Sequence, residues 1–402
     1  MNDQPRISTA KIVIYSVGAI GTGFFWAFYG ASLPLFLSDF TDSKLVISIP
    51  ISLGGVLACT LPPLVGYLSD RTHTRFGRRR PYIFLGAICL YLSMVGLPHL
   101  ASLGGVIVVS TLLSLFAYTA ETPYVVLLPD ITPPEQRGTA SGVMHFAFYG
   151  AMLVYFIMGT EIWENHPTET FYIVAIIWLG ALSFAMALIR EPRAAVQEQT
   201  TKQVGTLAHL SEILKATEAM KFLVSIFFLT FGPTMVWAFI TLFAVQELGV
   251  SEGDSLWIFF ANAAVTTLFA IPLGIWGDRI DKKRLLMWMC VSLTVLTFLL
   301  AFPRNYSQAV ILYGLAGIPT AAALVVGYAF FLDLVPEERV GEFVGINMIT
   351  WAAPQAIAPA IGGYLIDAWG YRSMFPAAAG FMVIGLIIFP FIRVAASQDD
   401  MT

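Results

Sequence analysis

The chain has 402 residues, of which 57% are hydrophobic and only 12% are charged, and its mean hydropathy is +0.76. A soluble chain of this length would divide into two or three domains, with about a quarter of its residues charged. The composition therefore excludes an ordinary soluble globule and favours lipid as the main solvent. The formal net charge of −4 says little, because the placement of charges matters more than their sum in membrane proteins. Three cysteines, Cys59, Cys89 and Cys290, stand singly in apolar runs and are interpreted as small core residues.

Apolar segments long enough to cross a bilayer follow one another along the chain. A spanning helix needs about 20 apolar residues, and helices are expected because lipid cannot satisfy backbone polar groups. Twelve such segments cover residues 12–37, 45–68, 81–98, 102–128, 138–162, 170–190, 219–248, 254–277, 283–302, 308–334, 341–366 and 371–394. The first is too long for the core of a signal peptide and is predicted to be retained. We predict an all-α integral membrane protein with twelve transmembrane helices.

The placement of lysine and arginine tests this topology. Cytoplasmic loops of membrane proteins carry an excess of both residues. With the N-terminus in the cytoplasm, 19 of the 22 fall on the cytoplasmic side, and Lys44, Arg304 and Arg372 fall on the other. None is left in mid-membrane. We therefore predict a multi-pass protein of the plasma (inner) membrane with both termini in the cytoplasm.

The two halves of the chain contain similar strings. GYLSDR at 66–71 recurs as GIWGDR at 274–279, and LPDITPPEQRG at 128–138 recurs as LDLVPEERVG at 332–341. Each pair follows the same span of its half. The offsets, 208 and 203 residues, nearly agree, which indicates a duplicated six-helix unit.

A long polar stretch separates these halves. It covers 191–217 and is predicted to be a cytoplasmic linker, partly helical. We therefore predict an N-terminal bundle over 1–190 and a C-terminal bundle over 218–402. The expected fold class is two pseudo-symmetric six-helix bundles.

The loop after the second segment concentrates positive charge, with five arginines between 71 and 80. A topology anchor explains part of this, but not why the Gly-x-x-x-Asp-Arg pattern returns in the other half. Gly66 would let two helices approach closely. Asp70, at the C-terminal end of its helix, would gain by facing an arginine or the N-terminus of a neighbouring helix. Such contacts can form in one arrangement of the bundles and break in another, as a conformational latch requires.

These strings resemble a known family. GYLSDR with the three arginines at 78–80 is similar to the signature loop of the major facilitator superfamily, and this resemblance extends over the whole chain. SDRTHTRFGRRRPYI at 69–83 resembles the sucrose-transporter branch, within or near the glycoside–pentoside–hexuronide cation symporters. GTGFFWAFYGASLP at 21–34 and TPYVVLLPDITPPEQRG at 122–138 resemble the first and fourth helices of that branch.

The resemblance implies two bundles that rock about a central cavity and move substrate by alternating access. It also implies a gating latch at the loops. In the first half the latch would comprise Asp70, Arg71, Arg78, Arg79, Arg80, Asp130, Glu135 and Arg137. Its second-half copy would comprise Asp278, Arg279, Asp333 and Arg339.

Two ionisable residues are candidates for energy coupling. An ionisable group inside the bilayer is costly unless it is neutral or paired. Glu121 lies about seven residues from the cytoplasmic end of the fourth segment, and His145 lies at nearly the same depth in the fifth. Shielding from water favours a protonated carboxyl group, and a nearby imidazole could share the proton. We predict that Glu121 and His145 load and release a proton; purely structural roles for each are the alternatives.

The coupling ion is expected to be a proton. Sodium users among the related symporters draw further carboxylates from the second helix, whereas Leu45 to Leu68 contains none here. One carboxylate is a poor sodium cage and an adequate proton carrier. Asp367, near the outer end of its helix, is expected to be a solvated rim residue.

Aromatic and amide side chains inside the predicted helices are candidates for substrate binding. Flat rings could stack on sugar C–H groups and amides could bond hydroxyls, although packing is the alternative role for each. The candidates are Trp26, Tyr29, Trp237, Asn262, Asn347, Trp351 and Gln355.

The sequence contains no metal-ligand cluster, phosphate-binding loop or G-x-S-x-G nucleophile motif, so an enzyme or an ATP-driven pump is not expected and no cofactor is predicted. We predict a monomeric secondary transporter that contacts a small-molecule substrate and lipid but no nucleic acid. Proton-coupled symport of a sugar or glycoside is the favoured function. The alternatives are proton-coupled export of a drug-like or amphipathic compound and a non-transporting sensor or assembly factor.

Overall fold

The computed structural model describes residues 7–72, 74–189, 217–277, 279–335 and 340–393. Within these ranges, ten helices are long and apolar enough to cross a membrane. With two others they are numbered here as spans 1 to 12: Thr9–Ser38, Lys44–Arg71, Arg80–His99, Leu103–Ile131, Arg137–Asn165, Pro167–Leu188, Glu218–Gln246, Glu252–Gly277, Lys282–Leu299, Tyr306–Asp333, Val340–Trp369 and Tyr371–Phe391. Their ends lie within a few residues of the predicted segments. The linker predicted for 191–217 lies outside the described residues apart from Thr217.

Spans 9 and 11, the two outside this set of ten, carry polar residues. Span 9 begins with Lys282, Lys283 and Arg284. Span 11 carries Asn347 and Gln355 inside its length. These polar groups are compatible with a membrane because a bundled helix needs an apolar surface only where it meets lipid.

Some spans are interrupted where the chain cannot continue a regular helix. Span 1 consists of Thr9–Ala31 and Leu33–Ser38, and Pro34 lies in the first turn of the second piece. Proline lacks a backbone N–H, so it is accommodated in a first turn, where that N–H would have no helical partner. Span 10 is likewise divided, into Tyr306–Leu315 and Gly317–Asp333.

The spans pack as two bundles with the same internal arrangement. In the first bundle, span 1 packs against spans 5 and 6, span 3 against spans 4 and 6, and span 2 against span 4. In the second, span 7 packs against spans 11 and 12, span 9 against spans 10 and 12, and span 8 against span 10. Each pair in one bundle has its counterpart six spans away in the other. This is the pseudo-symmetry that the repeated strings predicted.

The bundles meet most extensively along two pairs of helices, spans 2 and 11 and spans 5 and 8, and span 1 also contacts span 7, where Thr241 donates to the carbonyl oxygen of Ala31. The two extensive pairs are also equivalent under the repeat. We call the end of the molecule with the loops 39–43 and 247–251 the closed end, and the end with the loop 72–79 the arginine end. The contacts between bundles differ between these two ends.

Glycines on spans 2 and 11 show this difference. A Cβ atom added at Gly55 would overlap the backbone of Gln355, and one added at Gly363 would lie 2.5 Å from the carbonyl oxygen of Lys44. One added at Gly66, nearer the arginine end, would meet no atom within 4 Å. Spans 2 and 11 are therefore tightly packed from the closed end to mid-span and separate beyond it.

Spans 5 and 8 follow the same trend. A Cβ atom added at Gly159 would lie 2.8 Å from the side chain of Leu256, and one added at Gly253 would overlap the carbonyl oxygen of Thr160. At Gly142, toward the arginine end of span 5, the position is open. The two bundles are thus joined at the closed end and apart at the arginine end.

Candidate functional site

A cavity of about 460 Å³ lies between the two bundles near mid-span. Its size is within the range of about 300–1,000 Å³ that is usual for small-molecule sites. Its aromatic walls are Trp26, Tyr29, Tyr118, Phe148, Trp237 and Trp351. Its neutral polar groups come from Ser114, Thr230, Thr234, Thr320 and Gln355. Among the described residues that line it, none carries a charge, so the cavity suits a neutral ligand.

Most of the predicted substrate-binding residues lie in this wall. They are Trp26, Tyr29, Trp237, Trp351 and Gln355. Both bundles contribute, so rocking one bundle against the other would change the site. Their role in binding stays a prediction.

The two predicted asparagines lie elsewhere. The amide nitrogen of Asn262 donates a 2.8 Å hydrogen bond to the carbonyl oxygen of Tyr313 and so joins spans 8 and 10 within one bundle. Asn347 is buried in the wall of a second, smaller cavity of about 160 Å³. That cavity shares Trp351 with the main one. Asn262 thus has a packing partner, whereas Asn347 lies beside the site.

Sequence reasoning missed several wall residues. Ser114 and Tyr118 precede Glu121 by seven and three residues, a spacing that puts all three on one face of span 4. This periodicity was a usable signal. Cys290, interpreted as a core residue, is buried but also lines the cavity.

Glu121 is connected to the cavity wall through a tryptophan. The indole nitrogen of Trp26 donates a 2.8 Å hydrogen bond to Oε2 of Glu121. The Trp26 ring packs at 5.3 Å from the ring of Tyr118 and at 5.5 Å from that of Tyr29. A ligand that contacts the face of Trp26 would therefore act on the group that holds the Glu121 carboxyl.

Tyr29 continues this network across the first bundle. Its hydroxyl donates to the carbonyl oxygen of Pro50 at 3.2 Å and accepts from the Ser114 hydroxyl at 2.9 Å. Spans 1, 2 and 4 are thereby linked behind the cavity. Such a bonded network fixes the ring positions and leaves few rotamers to be lost when a ligand binds.

His145 does not join Glu121 in this conformation. Its side chain is exposed, and its Nδ1 atom lies 2.8 Å from the carbonyl oxygen of Ser141 one turn earlier. Its ring stacks with that of Tyr149 at 6.5 Å. The predicted sharing of a proton between His145 and Glu121 has no direct contact to support it here.

Four charged residues form an ion cluster at the arginine end. Arg78 lies 2.7 Å from the Asp130 carboxylate and 3.8 Å from that of Asp70. Arg79 lies 3.2 Å from Asp70 and 2.8 Å from Asp130. The Arg79 side chain is only 4% exposed. The cluster ties together spans 2, 3 and 4 of one bundle.

Other residues of the predicted latch have separate contacts. Arg71 lies over the ring of Tyr67 at 4.0 Å, and Arg80 donates to the carbonyl oxygen of Ile189. Arg137 donates to the carbonyl oxygen of Pro129 at 3.3 Å and so caps span 4. Glu135 is exposed.

The second-half copy of the latch is visible in part. Lys282 forms a 2.7 Å ion pair with Asp333, which matches the pairing of the first-half arginines with Asp130. Arg279 is exposed. Asp278 and Arg339 lie outside the described residues.

The described parts of the chain contain no group of three or more His, Cys, Asp or Glu residues that could hold a metal ion. The sequence model of the Major Facilitator Superfamily matches residues 15–232 and again residues 222–400. One match thus falls on each half of the chain.

Curated relatives include transporters with different cargo. The multidrug resistance protein MdtG of Proteus mirabilis (strain HI4320) is 31% identical over 167 residues, which are 39% of this chain and 40% of that protein. The sucrose transport protein SUC4 of Arabidopsis thaliana is 30% identical over 102 residues, which are 25% of this chain and 20% of that protein. The chain therefore spans less than half of the length of each of these relatives.

Solved structures share the fold over nearly the whole chain. A bacterial homologue of the human lysosomal transporter Spinster, in an inward-facing and occupied conformation, has a TM-score of 0.78 and 14% identity and covers 97% of either chain. A D-xylose-proton symporter has a TM-score of 0.72 and 16% identity, with 95% of this chain and 97% of that chain covered. Likeness at such low identity concerns the fold alone.

The predicted fold class and the predicted family are confirmed by these observations. Two packed six-helix bundles with a cavity between them belong to an integral, multi-pass membrane protein. The curated relatives and the solved structures named above are transporters. The chain belongs to the major facilitator superfamily.

Proposed function

We propose that the protein is a proton-coupled symporter of a sugar or glycoside that works by alternating access. The observation that carries this proposal is the hydrogen bond between Trp26 and Glu121. It connects the wall of the cavity to a carboxyl group inside the membrane, so occupancy of the cavity and protonation of Glu121 can influence each other. Energy coupling requires a link of this kind.

The chemistry of the cavity supports a polyhydroxylated ligand. Aromatic faces such as those of Trp237 and Trp351 offer apolar surface to the C–H face of a pyranose ring. The hydroxyl groups of Thr230 and Thr320 and the amide of Gln355 can exchange hydrogen bonds with sugar hydroxyls. A charged substrate would have no counter-charge among these described wall residues.

The orientation follows from the arginines. We propose that the arginine end faces the cytoplasm, in agreement with the excess of cations there, and that the membrane is the plasma (inner) membrane. The described state would then be inward-open. The proposed units remain the bundles 1–190 and 218–402 with the linker 191–217, in a monomer without cofactor.

A proton suits Glu121 better than sodium does. Its carboxyl accepts from Trp26, and no second carboxylate precedes Asp70 on span 2 to complete an oxygen cage. In this proposal, the proton and the sugar bind from outside and leave to the cytoplasm. The empty carrier then returns with Glu121 held by Trp26.

Export of an amphipathic compound in exchange for protons is the second candidate. The cavity wall is largely apolar, with Ile51, Leu229 and Leu293 among its residues, and one relative is a multidrug resistance protein. Such a wall binds apolar cargo with little directional selectivity.

The two candidates are separated by the direction of coupled flux. Purified protein in liposomes is given an acid-outside pulse in the presence of labelled mono- and disaccharides, or with a fluorescent amphipathic dye inside. Symport predicts that sugar uptake is higher with the pH gradient than after the gradient has been collapsed. Antiport predicts that the gradient drives dye efflux. Absence of sugar uptake together with gradient-driven dye efflux would overturn the proposed symport.

A further inference from the structure

The closed end is held by a carboxylate of one bundle at the start of a helix of the other. Asp367, near the end of span 11, accepts from the backbone N–H of Lys44 at 2.7 Å and from that of Leu45 at 3.1 Å. It also accepts from the hydroxyl of Ser43 at 2.7 Å. The first amides of a helix have no partner within it and carry the positive end of its dipole, so the carboxylate is stabilised there. Asp367 is exposed at the rim, as expected, but it also joins the two bundles.

Spans 5 and 8 make an equivalent contact between the bundles. Glu164, near the end of span 5, accepts from the backbone N–H of Gly253 in the first turn of span 8 at 2.8 Å. Its neighbour Trp163 donates to the Glu252 carboxylate at 2.8 Å. A carboxylate of the first bundle thus caps a helix of the second, in the reverse sense to Asp367.

The two contacts are related by the internal repeat. Asp367 follows Glu164 by 203 residues, and Gly253 follows Leu45 by 208 residues, the same offsets that relate the repeated strings. The equivalent amides, those of Leu45 and Gly253, bond the equivalent carboxylates. Ser43 and Ser251, also 208 residues apart, are the N-cap residues of the two helices. The repetition makes an accidental surface contact an inadequate explanation.

We infer that Asp367 and Glu164 are positioning residues of the transport cycle: together they hold the closed end shut by capping helices of the opposite bundle. Opening the closed end requires both caps to break, because each joins the two bundles. The ion cluster at the arginine end differs in this respect, since all of its members belong to the first bundle. The inference rests on alternating access, and it is independent of the identity of the substrate and of the coupling ion.

The test measures opening directly. Spin labels are placed at Ala101→Cys and Ser307→Cys, exposed positions at the closed end of different bundles, after replacement of the native cysteines by alanine. Distributions of the distance between the two spin labels are recorded by double electron–electron resonance for the full chain in lipid nanodiscs without substrate. The variants are Asp367→Asn and Glu164→Gln, singly and together.

Each single variant should raise the ratio of the long-distance to the short-distance population about tenfold, because each loses a hydrogen-bond acceptor charge. The double variant should raise it about a hundredfold, since both caps act on one equilibrium. Matched controls are Glu161→Gln and Glu247→Gln, carboxylates of the same end whose partners Asn165 and Arg372 lie in their own bundle. These should leave the distribution unchanged.

A backbone variant guards against misfolding of the carboxylate variants. Lys44→Pro removes an amide that donates to Asp367, and proline is tolerated at the first helical position after the N-cap Ser43. It also removes the Lys44 side chain, which lies 5.9 Å from the ring of Tyr371, so Lys44→Ala, which keeps the amide, is its control. Lys44→Pro should shift the distances in the same direction as Asp367→Asn. Unchanged distances in the double variant, or equal shifts in the controls, would overturn the inference. Because no transport is measured, failure of the proposed sugar symport leaves this result interpretable.

Discussion

The replacement Glu121→Gln tests the coupling of substrate transport to a proton on this residue. The glutamine side chain has the same shape, and its amide oxygen can still accept the indole N–H of Trp26, which lies 2.8 Å from the carboxylate in the wild type. Replacing a charged acceptor with a neutral one weakens that bond by roughly 1 kcal/mol, so the cavity wall should keep its arrangement. The variant cannot lose a proton at this position. It therefore represents a permanently loaded carrier.

The size of the expected loss follows from the gradient. For one proton per substrate, a difference of two pH units is worth about 2.7 kcal/mol and supports accumulation of about a hundredfold. Exchange of internal for external substrate needs no net proton movement and should survive in the variant. Accumulation should fall to equal concentrations on the two sides, because the loaded carrier cannot return deprotonated.

The assay compares counterflow with pH-driven uptake in the same proteoliposomes. Glu169→Gln is a matched control, because Glu169 is a 62% exposed carboxylate whose neighbour is His166 at 3.5 Å. It should behave as wild type in both measurements. Near-wild-type accumulation by Glu121→Gln would refute the role of Glu121 as proton carrier. Loss of both counterflow and accumulation would indicate a structural role instead.

Trp26→Phe tests the link between the carboxyl group and the cavity. Phenylalanine keeps an aromatic face but removes the indole N–H that donates to Glu121. Loss of this donor disfavours the ionised form of the Glu121 carboxyl group. The pH at which substrate binding is half-maximal should therefore move upward, measured by thermal shift at a series of pH values. An unchanged pH profile would contradict the proposed coupling through Trp26.

Three further outcomes follow from the packing. Asp130→Asn should lower the unfolding temperature more than Asp70→Asn does, with a cost of about 2 kcal/mol, because the Asp130 side chain is 26% exposed and that of Asp70 is 53% exposed. Equal shifts of the unfolding temperature in calorimetry would count against this. Asp70→Asn should slow substrate exchange about tenfold or more with normal expression, and a wild-type rate would exclude its gating role. Gly55→Ala should lengthen the distance between the spin labels at the closed end, because the added methyl group pushes spans 2 and 11 apart, whereas Gly66→Ala should not. Equal changes of that distance in the two variants would contradict the described packing.

The positions of the helices were determined by the sequence with little help from tertiary structure. A helix in lipid must bond its own backbone and present about 20 apolar residues, so each apolar run specifies one span. The run predicted at 102–128 is the helix Leu103–Ile131. The repeated strings likewise predicted equivalent packing in the two bundles, because duplicated sequences bury equivalent faces.

The candidate site was predicted only in part. Trp26 and Trp237 were chosen for their chemistry and lie in the cavity wall. Asn262 was chosen for the same reason, but its amide is occupied by the carbonyl oxygen of Tyr313. In a helix that is apolar all round, composition does not reveal which face meets the neighbouring helix and which meets the cavity.

Tertiary structure alone decided which polar groups meet. The sequence placed Glu121 and His145 at similar depth. The rotation of their helices, however, puts Glu121 in contact with Trp26 and His145 in contact with Ser141. The sequence also placed Asp367 near the outer end of a helix, where it is exposed as expected, but only the packing of span 11 against span 2 shows that it accepts from the amide of Lys44. Contacts between residues more than three hundred positions apart depend on how whole helices are set against each other, and a single sequence carries no local signal for that arrangement.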